Sequence, residues 1–482
     1  SATGIVSATK FCGDGSALTG ISAGGLSADA DLNLFASNTC SGCNLDGSGC
    51  FNLFLGACAG KNVTSGASNV FLGDYAGSCM CNGSDSIAIG SEALLGSGTV
   101  SDNSGTVNIA IGKEAGKSIT TGGCNIILGC KAAFGITTGA WNTIFGRTAG
   151  RCLTTQNYNA YFGTDAGKRM RGAHNIALGA LSMEGSSTAS DNTGGCNIAI
   201  GKETGEGLTN GVNNIFMGLR AGCSLTQGDN NVYIGKHAGS VNALGNGNVH
   251  LGVEAGMCHP KSYNNVFIGL YAGKCSERAV ATGSLTSGNI FIGSYTGFKG
   301  GDTRNIAMGR NSMYNACGAC QNLALGFEAM YAGTGAAANN IVLGTCYTGC
   351  LLSTGSKNFL GGYMAGRCIV SGSNNIIVGS KAGCQTTGNG NIFFGENSGL
   401  TNTSGCCNIA LGNNTCVPIA DGNCQLAIGA GGSCWISGNS DFDVTLAGIA
   451  TISSATGIVS ATKFCGDGSA LTGISGGGFS PD

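Results

Sequence analysis

A five-residue motif, Asn-aliphatic-x-aliphatic-Gly, recurs along this 482-residue chain and constrains its fold more than any other feature. The motif occurs 22 times within residues 52–429, and successive copies most often start 17 residues apart. Its first position is Asn in 20 of the 22 units, and its fifth position is Gly in every unit. A fixed period of this kind is typical of a repeat architecture, in which each unit is stabilised by stacking on its neighbours.

The length of the period indicates one turn of a β-solenoid. Seventeen residues are too few for a strand–helix–strand unit, which needs about 30. The apolar motif favours a strand, and the Thr-Thr-Gly or Ser-Gly stretch before the next Asn is typical of a turn. We therefore predict an all-β chain, a parallel β-solenoid or β-roll of about 22 coils spaced about 4.8 Å apart. The predicted segments are an N-terminal connector with the first coil (1–50), the solenoid (51–440) and a C-terminal connector (441–482).

Each recurring position of the motif has a predicted role. Positions 2 and 4 share one face of the strand because strand side chains alternate, and we expect them to fill the inside of the coil. Glycine at position 5 allows a corner with positive φ, and stacked asparagines at position 1 can form a ladder of amide hydrogen bonds. The predicted ladder and its corners include Asn69, Asn108, Asn214 and Asn265, with Gly73, Gly112, Gly218 and Gly269.

The prediction that the chain associates with copies of itself rests on position 3 of the motif. With positions 2 and 4 inside, position 3 would face water, yet it is apolar in every unit except the one with His250. An exposed stripe of that length would exceed the few hundred Å² that a monomer usually shows. We therefore expect another chain to cover it and favour a homotrimer, with a dimer or a second layer of the same chain as alternatives. The expected interface residues are Phe54, Phe71, Tyr161, Phe216, Phe267 and Phe291.

The two ends of the chain share one sequence. Residues 1–22 and 454–475 are identical, which indicates one period of about 453 residues from a longer tandem array. A head-to-tail filament is the other explanation for matching ends. Two similar inserts, at residues 101–105 and 190–194, are predicted to project as loops, where binding residues tend to lie.

The repeat resembles those of two known families. The unit N-I-A-I-G at residues 108–112 is similar to the coil repeat of YadA-like heads in trimeric autotransporter adhesins. The longer unit with A-G and T-T-G resembles repeats of bacteriophage tail fibres, especially those of marine phages. The terminal stretch G-I-V-S-A-T-K-F-C-G-D-G-S-A-L-T-G-I is similar to phage-fibre connectors.

These resemblances imply a homotrimeric β-roll with an adhesive or receptor-reaching role. We accordingly expect a structural fibre or filament segment that forms a rigid shaft, located outside a cell, on a cell surface or on a virion. The alternative is a bacterial cell-surface trimeric adhesin that binds a glycan or protein receptor. The expected partners are further copies of the chain and a cell-surface receptor.

The 26 cysteines occur at recurring places in the repeat. Consecutive coils would place some of them about 4.8 Å apart, within the Cα range of a disulfide. The candidate cross-links are Cys258 with Cys275, Cys350 with Cys368, and Cys407 with Cys424. The alternative is that these cysteines are small, unbonded residues that pack inward. Two C-x-x-C pairs, Cys40 with Cys43 and Cys317 with Cys320, suggest zinc or redox chemistry, but we interpret them as chance pairings in a cysteine-rich chain.

Other function classes lack support in the sequence. The four histidines show no ligand spacing, and no irregular, acid-rich coil offers the carboxylates of a polysaccharide-cleaving enzyme. We therefore expect no enzyme activity, no cofactor and no metal. The net charge of −2 gives no reason to expect nucleic acid as a partner, and no apolar run approaches the 18 residues of a membrane span.

Overall fold

A computed structural model of the chain describes residues 26–36, 40–258, 261–274, 286–299, 303–315, 318–332, 335–447, 450–452, 454 and 459–461. Their regular structure consists of 30 short strands and two single-turn 3-10 helices, Val100–Asp102 and Ala189–Asp191. The chain divides into two compact units, Ser1–Asn175 and Ile176–Asp482. The described strands belong to a parallel β-solenoid of about 22 turns, which confirms the all-β solenoid fold predicted from the repeat.

The first unit contains strands β1 to β9. Their bounds are β1 Leu26–Ala28, β2 Leu34–Ala36, β3 Leu53–Leu55, β4 Val70–Leu72, β5 Ile87–Ile89, β6 Ile109–Ile111, β7 Ile126–Leu128, β8 Thr143–Phe145 and β9 Ala160–Phe162. Strand β1 pairs with β2 in antiparallel fashion, and from β2 to β9 each strand pairs in parallel with the next. The parallel register is residue for residue, so each motif position forms a row along the unit.

The second unit has the same architecture from β10 to β26. The bounds are β10 Ile176–Leu178, β11 Ile198–Ile200, β12 Ile215–Met217, β13 Val232–Ile234, β14 Val249–Leu251, β15 Ser262–Tyr263, β16 Val266–Ile268, β17 Thr286–Ser287, β18 Ile290–Ile292, β19 Ile306–Met308, β20 Leu323–Leu325, β21 Ile341–Leu343, β22 Phe359–Gly361, β23 Ile376–Val378, β24 Ile392–Phe394, β25 Ile409–Leu411 and β26 Leu426–Ala430. Strands β15 and β17 pair with each other, and the remaining strands form one parallel ladder. Four antiparallel strands follow: β27 Ser433–Gly438, β28 Val444–Leu446, β29 Ala450–Ile452 and β30 Val459–Ala461.

The interior of each coil is filled by position 3, not by positions 2 and 4. The side chains expected at an interface are buried within their own chain, with 0–2% exposure at Phe54, Phe71, Tyr161, Phe216, Phe267 and Phe291. Strands such as β3 and β4 show a buried central residue between two half-buried ones. The assignment of the two strand faces from the sequence was therefore wrong, and these six residues cannot form a contact with another chain.

Two further rows explain why position 3 faces inward. Position 8 is a small residue and position 12 is usually a larger apolar one, and both rows are buried beside position 3, as Ala76 and Met80 are beside Phe71. Together the three rows close a narrow apolar interior. The glycine at position 9 leaves room for large rings, since a Cβ at Gly77 would lie 2.3 Å from Cε2 of Phe71.

The asparagines of position 1 form a hydrogen-bonded ladder at the edge of this interior. The Asn69 side-chain amide donates to Oδ1 of Asn52 at 3.0 Å and to the Gly83 carbonyl at 2.8 Å. The backbone N–H of Asn69 also donates to Oδ1 of Asn52, at 2.9 Å. The same pattern joins Asn214 to Asn197 and Asn265 to Asn248. Each ladder side chain therefore forms hydrogen bonds both within its own turn and with a neighbouring turn.

The ladder is interrupted at Ser86, and it starts at a turn that the motif does not show. Ser86 replaces asparagine, and the backbone N–H of Asn108 donates to its hydroxyl at 3.2 Å. The first rung is Asn33, whose Oδ1 accepts a hydrogen bond from the Asn52 amide at 2.9 Å. Asp29 in turn accepts from the Asn33 amide at 2.9 Å. A carboxylate, which needs no partner from a preceding turn, thus begins the ladder.

Antiparallel hairpins cover the terminal strands of the parallel ladders. Strand β1 covers β2, and β27 covers β26. The last ladder residue, Gln425, turns its own amide back onto Ile419, donating to the carbonyl at 2.8 Å and accepting from the N–H at 2.7 Å. An open parallel edge is a template for another strand, and these pairings cover the edges of β2 and β26.

His250 stands in a stack of buried rings inside the second unit. Its ring lies 4.6 Å from that of Tyr233 and 4.9 Å from that of Phe267, both centroid to centroid, and its side chain is fully buried. A Cβ on Gly256 would approach its Cε1 to 2.3 Å. The imidazole therefore occupies the place of an aromatic hydrocarbon in this row.

Candidate self-association face

Within each unit, the side chains at positions 2 and 4 project outward from the parallel strands and form an apolar row, named here the outer stripe. In the first unit it runs over β3 to β9, and in the second over β10 to β26 without β15 and β17. Exposed members in the first unit are Ile111, Ile126 and Phe162, at 37–38%. In the second unit exposure rises to 44% at Ile376 and 58% at Phe394. Apart from Thr143, Ala160 and Gly361, positions 2 and 4 of these strands thus carry large hydrophobic side chains that solvent reaches at least in part.

The extent of this stripe is unusual for a surface. The second unit contributes fifteen parallel rungs, which at about 4.8 Å spacing and about 10 Å width give a face of roughly 700 Å². Monomeric proteins rarely expose a contiguous apolar patch larger than a few hundred Å². A stable protein interface buries about 800 Å² on each partner, so the outer stripe of this unit alone approaches that size.

A shallow hollow interrupts the outer stripe between β19 and β21. It has a volume of about 400 Å³, with Ile306, Leu323 and Ile341 as its apolar part and Arg304 among its polar residues. The other lining residues are Gln321, Asn322, Asn339 and Asn340. An apolar recess with a polar border is the usual form of a pocket that receives an anchoring side chain from a partner.

The candidate disulfide cysteines are unbonded in the described part of the chain. Cys350 is buried, Cys258 and Cys368 are half-buried, and Cys407 and Cys424 are exposed, all as free thiols, while Cys275 lies outside the described residues. Burial raises the pKa of the Cys350 thiol and of the Cys258 thiol, which lowers their reactivity. The pairs Cys350 with Cys368 and Cys407 with Cys424 are thus free thiols in this structure, and the cross-links stay a prediction.

The two inserts predicted as loops carry the 3-10 turns and are fastened at their base. The Asn103 side chain is buried and donates to the carbonyls of Cys79 at 2.9 Å and Ser97 at 3.0 Å. Its Oδ1 accepts the Ser97 N–H at 3.0 Å. Asn192 makes the matching contacts with Ser186 in the second insert. The inserts are thus ordered and keep their tips, such as Asp102, exposed.

Other kinds of site find no geometric support among the described residues. No group of three or more His, Cys, Asp or Glu side chains is arranged to hold a metal ion there. Within the same part of the chain, no helix has the length and apolarity that crossing a bilayer requires. Comparison with known proteins yields no matching family model, no matching curated protein and no matching solved structure.

Proposed function

We propose that the chain is a structural fibre segment that associates with copies of itself through the outer stripe and forms a homotrimeric shaft. The observation that carries this proposal is the continuous apolar row at positions 2 and 4, on a chain whose interior is already filled. A second layer of this chain over the stripe is not present in the described residues. Association with further chains is therefore the way in which this surface is removed from water.

The regularity of the solenoid supports a load-bearing role. Each turn is joined to the next by strand hydrogen bonds, by the asparagine ladder and by stacked interior rings such as Phe54 on Phe71, 5.2 Å apart. Such an assembly resists bending because every turn contributes the same contacts. We place it outside a cell or on a virion, and we choose three copies because the repeat resembles those of trimeric fibres.

The first experiment is the native mass by light scattering, with and without reductant. One chain weighs 47.6 kDa, so three chains weigh about 143 kDa. We expect the trimer mass in both conditions, because the outer stripe requires no disulfide. A single-chain mass in both conditions would remove the support for the proposal.

A matched pair of variants tests whether the outer stripe is the contact. We expect Met308→Glu combined with Phe394→Glu to give single chains, because carboxylates would have to be buried against apolar partners. The control is Leu219→Glu combined with Leu270→Glu. These residues follow the corner glycine outside the stripe, and their exposure (39% and 41%) is close to the 40% of Met308. The control should keep the trimer mass. Dissociation of both variants, or of neither, would contradict the assignment of this face.

A further inference from the structure

Two thiols approach each other closely at the first turn of the solenoid. Cys43 donates a hydrogen bond from its thiol to Sγ of Cys40, with the sulfurs 2.8 Å apart. Both side chains are exposed, and both are free thiols. A disulfide bond is about 2.05 Å long, so less than 1 Å of movement separates this arrangement from a bonded pair.

The backbone between the two cysteines is held in place by the next turn. The Ser41 hydroxyl is nearly buried and donates to the Gly56 carbonyl at 2.7 Å. The N–H of Gly42 donates to the Ala59 carbonyl at 3.1 Å, and Gly42 has a φ of +62°. A Cβ at Gly42 would lie 3.1 Å from the Phe54 ring. The turn is therefore preorganised by contacts that do not involve the sulfurs.

We propose that Cys40 and Cys43 are a redox site, a dithiol that low-molecular-weight disulfides such as oxidised glutathione convert reversibly into an intramolecular disulfide. This pair differs from the stacked cysteines described above. Stacked residues on successive turns point the same way, whereas residues three apart within one turn can point toward each other. The exposure of both sulfurs gives an oxidant direct access.

The exchange proceeds in two balanced steps. The Cys40 thiolate attacks one sulfur of oxidised glutathione, forms a mixed disulfide and releases one glutathione thiolate, which takes up a proton. Cys43 then loses its proton to solvent and attacks the Cys40 sulfur, and the second glutathione thiolate leaves. In total, one dithiol and one oxidised glutathione give one protein disulfide and two reduced glutathiones.

The hydrogen bond between the thiols sets the order of attack. Donation to Cys40, together with burial, raises the pKa of the Cys43 thiol to about 11. Cys43 therefore keeps its proton while Cys40 reacts first. Once Cys40 is bonded to glutathione, it no longer accepts that hydrogen bond as a thiolate, and Cys43 is free to ionise and close the ring.

Mass spectrometry on the full chain tests the site directly. The chain is equilibrated in buffers of reduced and oxidised glutathione, quenched with acid, alkylated and cleaved before aspartate. The peptide of residues 31–45 then contains Cys40 and Cys43 as its only cysteines. We expect it to escape alkylation in oxidising buffer, to weigh two hydrogens less than the dithiol form, and to regain both alkyl groups after dithiothreitol. Two alkyl groups in all buffers, or stable glutathione adducts on both cysteines, would overturn the proposal.

Comparison with the unfolded chain shows whether the fold builds the site. In the same buffers with urea, we expect the equilibrium constant for disulfide formation to be lower by about tenfold or more, which corresponds to about 30 mV. Equal constants in the folded and unfolded chain would overturn the role assigned to the turn. The Cys43→Ser variant should accumulate the mixed disulfide on Cys40. In the wild type, brief exposure to oxidised glutathione followed by acid quenching should place the first glutathione on Cys40; equal amounts on the two cysteines would overturn the proposed order.

Discussion

Replacement of Gly146 by alanine is expected to destabilise the first unit by about 3–5 kcal/mol. Gly146 is the corner glycine after β8 and has a φ of +139°, a conformation that is essentially restricted to glycine. An added Cβ would lie 2.2 Å from the carbonyl oxygen of Gly163, the corner of the next turn. Because that oxygen belongs to the backbone, the turn can relieve the clash only by separating from its neighbour. Urea unfolding followed by circular dichroism measures the loss.

Gly98→Ala is the matched control in the same unit. A Cβ at Gly98 meets no atom within 4 Å, and its φ lies outside the left-handed range. We expect a change within about 0.5 kcal/mol. Similar losses for the two variants would mean that the corner glycines are not required for the close approach of successive turns.

Replacement of Asn125 by alanine should cost about 3–6 kcal/mol, because it breaks the ladder on both sides. The Asn125 amide donates to Oδ1 of Asn108 and to the Gly139 carbonyl, each at 3.0 Å. Its Oδ1 accepts from the backbone N–H of Asn142 at 3.1 Å and from the Asn142 amide at 3.0 Å. Alanine would remove all four side-chain bonds and leave the buried Gly139 carbonyl and the Asn142 backbone N–H without their hydrogen bonds, and each such group costs about 1–3 kcal/mol.

The matched control for the ladder is Asn210→Ala. Asn210 is exposed and lies in a turn, outside the ladder. We expect its thermal midpoint to stay near that of the wild type, while Asn125→Ala unfolds at a markedly lower temperature. A loss below about 1 kcal/mol for Asn125→Ala would show that water or neighbouring groups replace the ladder bonds.

The period, the corners and the ladder could be predicted from the sequence because each depends on one residue type at one place. Only glycine adopts the conformation of Gly146 without strain, and an amide offers a two-hydrogen donor and a carbonyl acceptor to the row at once, as Asn125 does. Parallel stacking then follows from the period, since seventeen residues return the chain to the same point of the next turn.

Which face of each strand points into the coil could not be predicted from the alternation of side chains alone. Positions 2, 3 and 4 are all apolar, so either face could point inward. The deciding signal lies elsewhere in the turn, in the small residues at position 8 and the apolar residues at position 12, represented by Ala76 and Met80. The side chains at positions 8 and 12 pack against a third row inside the coil. Position 3 supplies that row, with side chains that range in size from alanine to tyrosine. The argument for self-association then applies to positions 2 and 4.

The five-residue motif could predict neither the ends of the ladder nor the contact between the two thiols, and the reasons differ. The turn that begins at Asn33 has Ser37 where the other turns have the corner glycine, so the motif does not detect it. The hydrogen bond between Cys40 and Cys43 depends on how their turn rests on the following one, and a C-x-x-C pattern carries no such information. Tertiary contacts decide both features.

Ser86 has a consequence for how the chain finds its alignment during folding. Nearly identical turns could pair one place out of step, with almost every hydrogen bond replaced by an equivalent one. Such a shift would put a serine where the ladder needs an amide, and would force the insert that carries Val100–Asp102 into a turn too short for it. In the second unit, His250 and Gln425 likewise make pairing of the turns one place out of step less favourable. The irregular residues thus act as markers that make a single alignment lowest in energy, so a more uniform array of the same motif would fold into a mixture of shifted forms.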